Sequence, residues 1–210
     1  MIKSRTEARS VGTVALGLLL LSFPGSSFAG PALEAIQQTH GAVLRALQDP
    51  AWREPDTAAA RQQELAQLMG QRFNYRAMAR QILGPQWLLL RDEERAEFIQ
   101  LFRLLLLKTY VHYLDPVREG ELQYLDERID QRHAVVHTKL MINPHPLQVE
   151  FWLFETEGNW QIYDVAVEGV SLIKSYRSQV KRLLRLSSYA YLVEQLRAKA
   201  CVHGCEDGGQ

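Results

Sequence analysis

The chain has 210 residues and a formal net charge of zero, with 47% hydrophobic and 23% charged residues. That balance fits one folded globular domain. It argues against nucleic-acid binding, which needs a concentrated basic face.

The first residues carry a local signal. Lys3, Arg5 and Arg9 precede an apolar run of 13 residues, Val11 to Phe23, broken by Pro24 and Gly25. This is the length of a signal-peptide core and shorter than the roughly 20 residues of a membrane span. Ser27-Phe28-Ala29 places small residues at the −3 and −1 positions of a cleavage site. The expectation is a signal peptide over residues 1–29, cut after Ala29, and one domain over residues 30–210. Removal leaves 21 basic and 23 acidic residues, a net of −2, on a chain long enough to build a core without disulfides.

The first half reads as helical. Pro31 suits a first helical position, and Leu33, Ile36, His40, Val43, Leu44 and Leu47 recur at helical spacing up to Asp49-Pro50. Asp56 is a cap for a second helix over TAAARQQELAQLMG. A third spans Phe73 to Gly84, with Met78, Ile82 and Leu83 inward and Gly84-Pro85 as its stop. Asp92 opens a long helix whose acidic first turn suits the dipole. Phe98, Leu101, Phe102, Leu105 and the Leu104–Leu107 run make it apolar nearly all round, so protein must surround it.

The second half changes period. Residues 121–129, 132–142, 147–157 and 159–170 read as four strands, with short links that favour antiparallel pairing. Two helices close the chain, over residues 171–186 and 188–200. The fold class is α+β, with an antiparallel sheet of about four strands packed with several helices. By alternation, Val136, Thr138 and Leu140, then Val149, Phe151 and Leu153, then Tyr163, Val165 and Val167 share one apolar sheet face. The Met78/Ile82 helix and the long helix are its natural covers. Trp152, Phe154, Trp160 and Ile162 fall on the other face. There the last helix, through Tyr189, Leu192, Val193 and Leu196, is expected to hide Trp160 and Ile162, leaving Trp152 and Phe154 open for a partner.

Signals for chemistry are sparse. No nucleophile elbow, Walker loop, metalloprotease helix or dinucleotide fingerprint is present. His133 and His137 lie about 13 Å apart along a strand and cannot share a metal. Asp164 reads as a structural hydrogen-bonding residue. Cys201 and Cys205 are a candidate local disulfide or free thiols. With His203 they are too few for a metal site, so neither metal nor cofactor is expected.

Three segments resemble the MlaC / toluene-tolerance family of periplasmic phospholipid-binding proteins. They are FNYRAMARQILGPQW with ERAEFIQLFRLLLLKTY, VEFWLFETEGNWQIYDVAVEGVSLIKSYRSQV, and YAYLVEQLRAK, and the resemblance extends over nearly all of the chain after residue 29. The string Tyr163-Asp164-Val165 to Gln179 is the most distinctive. Trp152 and Phe154, and the CVHGC tail, depart from the pattern.

The resemblance implies an NTF2-like sheet around a hydrophobic cavity and a non-enzymatic, periplasmic carrier of diacyl phospholipid. It implies shuttling between an outer-membrane lipoprotein–porin complex and an inner-membrane ABC transporter of MCE type, which maintains outer-membrane lipid asymmetry. It would make Met78, Ile82, Phe98, Leu101, Phe102, Leu105, Val136, Leu140, Val149, Phe151, Leu153, Tyr163, Val165 and Val167 the pocket lining. A hopanoid or other isoprenoid-lipid carrier remains open, as does an NTF2-like isomerase or hydratase, or an adaptor with a filled core.

Overall fold

A computed structural model describes residues 30–50, 57–117, 121–142 and 144–201. The expected signal peptide, Asp56, His203 and Cys205 lie outside the described residues. Within the described residues, seven helices and five strands follow in the order α1 (Pro31–Gln48), α2 (Ala58–Arg72), α3 (Tyr75–Leu83), α4 (Gln86–Leu89), α5 (Asp92–Val117), β1 (Glu121–Asp130), β2 (His133–Met141), β3 (Leu147–Thr156), β4 (Asn159–Val167), β5 (Val170–Ser171), α6 (Leu172–Leu186) and α7 (Tyr189–Cys201). Among them, no helix is long and apolar enough to cross a membrane.

Local chemistry sets most boundaries. α1 starts with Pro31 after Gly30, which has no side chain to cap the helix. Glu127 of β1 supplies the missing acceptor, taking the Leu33 N–H at 2.7 Å. A Cβ on Gly30 would stand 1.2 Å from that carboxylate, so a larger residue there would displace the Glu127 side chain from the helix start. The third helix begins two residues later than its periodicity suggests. Phe73 instead bridges Ile162 in parallel, and the Asn74 N–H donates to the Ile162 carbonyl at 2.8 Å. The Asn74 side chain then caps α3 at the Ala77 N–H. Gly84, at φ 55°, ends it. Leu105, Leu106 and Leu107 of α5 are all buried, as an apolar circumference demands.

The sheet is a sequential antiparallel meander, β1-β2-β3-β4-β5. The fifth strand is short and was not separable from the fourth by pattern. Glu157 and Gly158 both take positive φ in the two-residue β3–β4 turn, and Glu168 and Gly169 do the same before β5, as type I′ hairpins require.

One irregularity changes which residues face inward. Trp152 pairs with Asp164, but the next β3 residue, Leu153, pairs with Ile162. Tyr163 is the extra residue of a β-bulge. Before the bulge, Trp160 and Ile162 therefore face the helices; after it, Val165 does. All three are buried. Tyr163 turns to the opposite face, against Phe154 and His133. Strict alternation had assigned Tyr163 inward and Trp160 and Ile162 outward, and the bulge reverses those assignments.

The main core lies between this inward face and the helices, joining Ala134, Val136, Leu153 and Val165 to Phe98, Phe102, Met78 and Ile82. Full burial of each such side chain contributes about 1.5–3 kcal/mol. α7 is part of the same core through Leu192, Val193 and Leu196. It is fastened to α5 by the Tyr189 hydroxyl on the Glu94 carbonyl (2.9 Å) and by the Arg197–Glu97 ion pair. It buries its apolar side there, not over the outer sheet face as expected.

Candidate functional site

The helix-facing wall gathers most residues that the sequence singles out. On α3, Met78 and Ile82 are buried one turn apart, and on α5 so are Phe98, Leu101, Phe102 and Leu105. From the sheet come Val136, Leu153 and Val165, all buried, with Val149 and Phe151 half-buried against them. Leu140 is half-buried near the end of β2. Two residues fall outside this wall: Tyr163 is on the other face, and Val167 is 37% exposed where β4 ends. Trp160, Ile162 and Ala134 belong to the wall but were not anticipated. The clue to the first two was the phase slip between apolar positions 160 and 162 and apolar positions 165 and 167.

Polar groups at this wall are few. Thr138 is 1% exposed and donates to the Val149 carbonyl at 2.8 Å, which satisfies its hydroxyl. His40 of α1 meets the Tyr124 hydroxyl of β1 at 2.6 Å. Burial lowers the His40 pKa and raises that of Tyr124, because each loses water around its charged form. Tyr75 is pushed up to about 12, chiefly by burial and against the opposing pull of Arg103. Tyr176 of α6 packs edge-on to Phe102 at 5.4 Å, and burial raises its pKa as well.

Asp164 has the structural role read from the sequence. Its carboxylate accepts from the Val165 and Ile173 N–H groups and from the Ser171 hydroxyl. Ser171 in turn caps α6 at the Lys174 N–H. Glu168 accepts the Gln148 N–H. With these donors on them, the two carboxylates tie strand ends and a helix start together. His137 pairs with Asp126 at 2.7 Å, and His133 stands edge-on to Tyr163. Among the described residues, no group of three or more His, Cys, Asp or Glu is placed to hold a metal.

Two surface clefts flank the wall. One, of about 240 Å³, lies on the outer sheet face between Arg128, Ile129, His133, Val135, Trp152 and Tyr163. Trp152 is 37% exposed there, and Phe154 adjoins it half-buried. The other, of about 260 Å³, lies where the start of α1 meets Arg72, Asn159 and Trp160. Arg72 is committed to the Thr39 hydroxyl, the Asn159 side chain and the Trp160 carbonyl. Both clefts are below the roughly 300–1,000 Å³ of an ordinary small-molecule pocket.

The family described as MlaC protein matches residues 37–198, from the first turns of α1 to the last turn of α7. The chain belongs to the MlaC family. Among solved structures, a phospholipid-binding protein from Ralstonia solanacearum, in complex with a phospholipid, aligns with a TM-score of 0.68. Identity is 22%, and the alignment covers 80% of this chain and 96% of that one. The two share the fold. No curated protein matches the chain. As a MlaC-family sheet, the five-stranded meander keeps its helices against one face and turns the aromatic group of Trp152, Phe154 and Tyr163 outward.

Proposed function

We propose that this protein is a periplasmic carrier of diacyl phospholipid. It would move lipid between an outer-membrane complex and an inner-membrane ABC transporter and so maintain outer-membrane lipid asymmetry. Membership of the MlaC family over residues 37–198 carries the reading. The Ralstonia protein of the same fold, described as binding a phospholipid, supports the choice of ligand.

The physical chemistry is consistent. A buried methylene is worth about 0.8 kcal/mol, so two chains of about sixteen carbons represent roughly 25 kcal/mol gross. Lipid does not cross an aqueous gap freely against such a term. An apolar interior can replace the membrane as solvent, and Val149 and Phe151, half-buried against the helix-facing core, would offer that surface. Such a carrier makes and breaks no covalent bond, so it needs shape and dryness and no catalytic group. Docking falls to the outer face, where Trp152 and Phe154 offer aromatic surface beside polar residues.

Denaturing organic extraction of purified protein, followed by lipid mass spectrometry, tests the reading. Diacyl phospholipid near one per chain is the expected result. Preparations that carry none, and that take none up after delipidation, overturn it. An isoprenoid lipid in its place would reassign the cargo.

A further inference from the structure

Charge is spread unevenly over the helices. Arg76 and Arg80 lie on α3. Lys174, Arg177, Lys181, Arg182 and Arg185 lie on α6. Together they are a third of the 21 basic residues after residue 29, and none of the 23 acidic residues is on either helix. The two helices pack against each other and against β4. All seven charged side chains are exposed. Among the described residues, none of them pairs with a carboxylate. On α6, Lys174, Arg177, Lys181 and Arg185 follow at steps of three and four, so they form one row, while Ile173 and Val180 carry the buried side. Like charges so close repel one another, a cost that an anionic surface removes.

An apolar corner adjoins this row. Leu88 and Leu89 of α4 are 73% and 76% exposed, and Leu186, the last residue of α6, is 80% exposed. Single exposed leucines are ordinary, but these share one end of the molecule. A Cβ on Gly84, just before α4, would lie 3.7 Å from the Arg177 guanidinium. Tyr189, just after α6, places its hydroxyl on the carbonyl of Glu94 in the first turn of α5. α4 lies between those two ties, beside the C-terminal half of α6.

α4 is also pinned. Trp87 and Leu90 are buried. The Arg76 and Arg95 guanidinium carbons stand 5.6 and 5.4 Å from the Trp87 ring centre, and Arg95 donates to the Trp87 carbonyl at 3.0 Å. Leu88 and Leu89 are thus held outward between two buried anchors, and little ordering remains to be done on contact. Of the carboxylates at this end, Asp92 pairs with Arg95, Glu94 with Arg91 and Glu97 with Arg197. Glu93 stays exposed beside them.

We propose that this corner is a membrane-contact surface. The cations of α6, with Arg76 and Arg80, meet the headgroups of an anionic phospholipid bilayer, and Leu88, Leu89 and Leu186 sink to the headgroup–acyl boundary. Carboxylates alone would match the cations. The leucines call for apolar matter directly beneath the anions, which is the layering of a lipid surface. The corner belongs to the helix side of the sheet, away from Trp152, and its role stands whether or not the protein carries lipid.

The test is flotation of purified protein with vesicles of dioleoyl phosphatidylglycerol and dioleoyl phosphatidylcholine in equal parts, and with vesicles of the phosphatidylcholine alone. Protein should float with the first and stay behind with the second, and added salt should release it. A basic residue near such a surface is worth about fivefold in affinity. Lys181→Gln, Arg182→Gln and Arg185→Gln together should therefore bind at least about tenfold more weakly. Leu88→Gln with Leu89→Gln should lose at least about fivefold. Both sets replace exposed side chains, so melting temperatures should stay near that of the wild type. Arg45→Gln, Arg128→Gln and Arg132→Gln together remove the same charge from α1, β1 and the β1–β2 turn, and should float as the wild type does.

Wild-type protein that floats with neither kind of vesicle overturns the surface, as does equal flotation with both. Equal weakening by the α1–β1 triple reduces the attraction to net charge and overturns it too. Undiminished flotation of the α6 triple or of the leucine variant also overturns it. If that α6 triple instead binds the transporter complex more weakly, the cations belong to an acidic protein partner. Protein left behind is assayed for bound lipid. Protein that loads phospholipid without floating keeps the carrier reading and loses this surface.

Discussion

Leu153 of β3 pairs directly with Ile162 of β4, although its neighbour Trp152 pairs with Asp164. The single unpaired residue between those rungs, Tyr163, decides which side chains enter the core. Ile162 is 1% exposed, whereas Tyr163 stays on the open face. Ile162→Ala should therefore cost about 2–5 kcal/mol, and Tyr163→Ala markedly less. Urea unfolding of both variants measures this. Equal losses would place Tyr163 in the core and deny the bulge.

Phe151 is half-buried against the main core, while Val165 is 2% exposed. A tryptophan at Val165 overpacks a closed site and should destabilise by about 1–3 kcal/mol. Phe151→Trp is the cleaner probe of the ligand wall. It should fold with a near-wild-type melt and carry less phospholipid by mass spectrometry. Full lipid content in the folded variant would place Phe151 away from the acyl chains.

Trp152 lies in the outer groove with more than a third of its surface in water. Trp152→Ala should change unfolding free energy by less than about 1 kcal/mol, as surface substitutions generally do. Binding to the transporter complex should weaken at least several-fold if this is the docking face. A large stability loss, or undiminished binding, would show that the aromatic group has another role.

Asp164 holds the Ile173 N–H at 3.1 Å and the Ser171 hydroxyl, which itself caps α6. Asp164→Ala strands both donors and loosens the start of that helix. A loss of about 1–3 kcal/mol follows from the unpaired groups and the weakened cap. Protection of the first-turn amides of α6 against hydrogen exchange should fall more than protection of α5. Uniform loss across the protein would argue against a local role.

His40 has its pKa lowered by burial. The unfolded chain therefore takes up this proton first as pH falls, at about 6.5. The stabilisation is full above that value. It is lost progressively as pH drops from about 6.5 through the lowered folded pKa, because the unfolded state binds more protons in that window. His40→Gln removes the titration and should flatten the slope of stability against pH below 6.5. A slope that stays the same would assign it to other groups.

Much of this protein was legible in its residue order. The polar–apolar period marked each long helix and strand, and Gly84 and the Glu157-Gly158 turn are local signals read by local rules. The apolar circumference of α5 required a surrounding core. The segments from Phe73 to Trp87 and from Tyr163 to Gln179 carried the family resemblance.

The tertiary structure decided what period alone leaves degenerate. A one-residue bulge at Tyr163 inverts two faces of β4, and its placement depends on pairing with β3, not on any residue of β4 alone. α7 was free by its pattern to cover either sheet face. Burial against α5 and the Tyr189–Glu94 hydrogen bond set it on that helix instead. The partners of buried polar groups, such as the Tyr124 hydroxyl on His40 and the Val149 carbonyl on Thr138, could not be foreseen either. Whether a polar atom finds a partner depends on contacts between residues distant in sequence, and those exist only once the chain has folded.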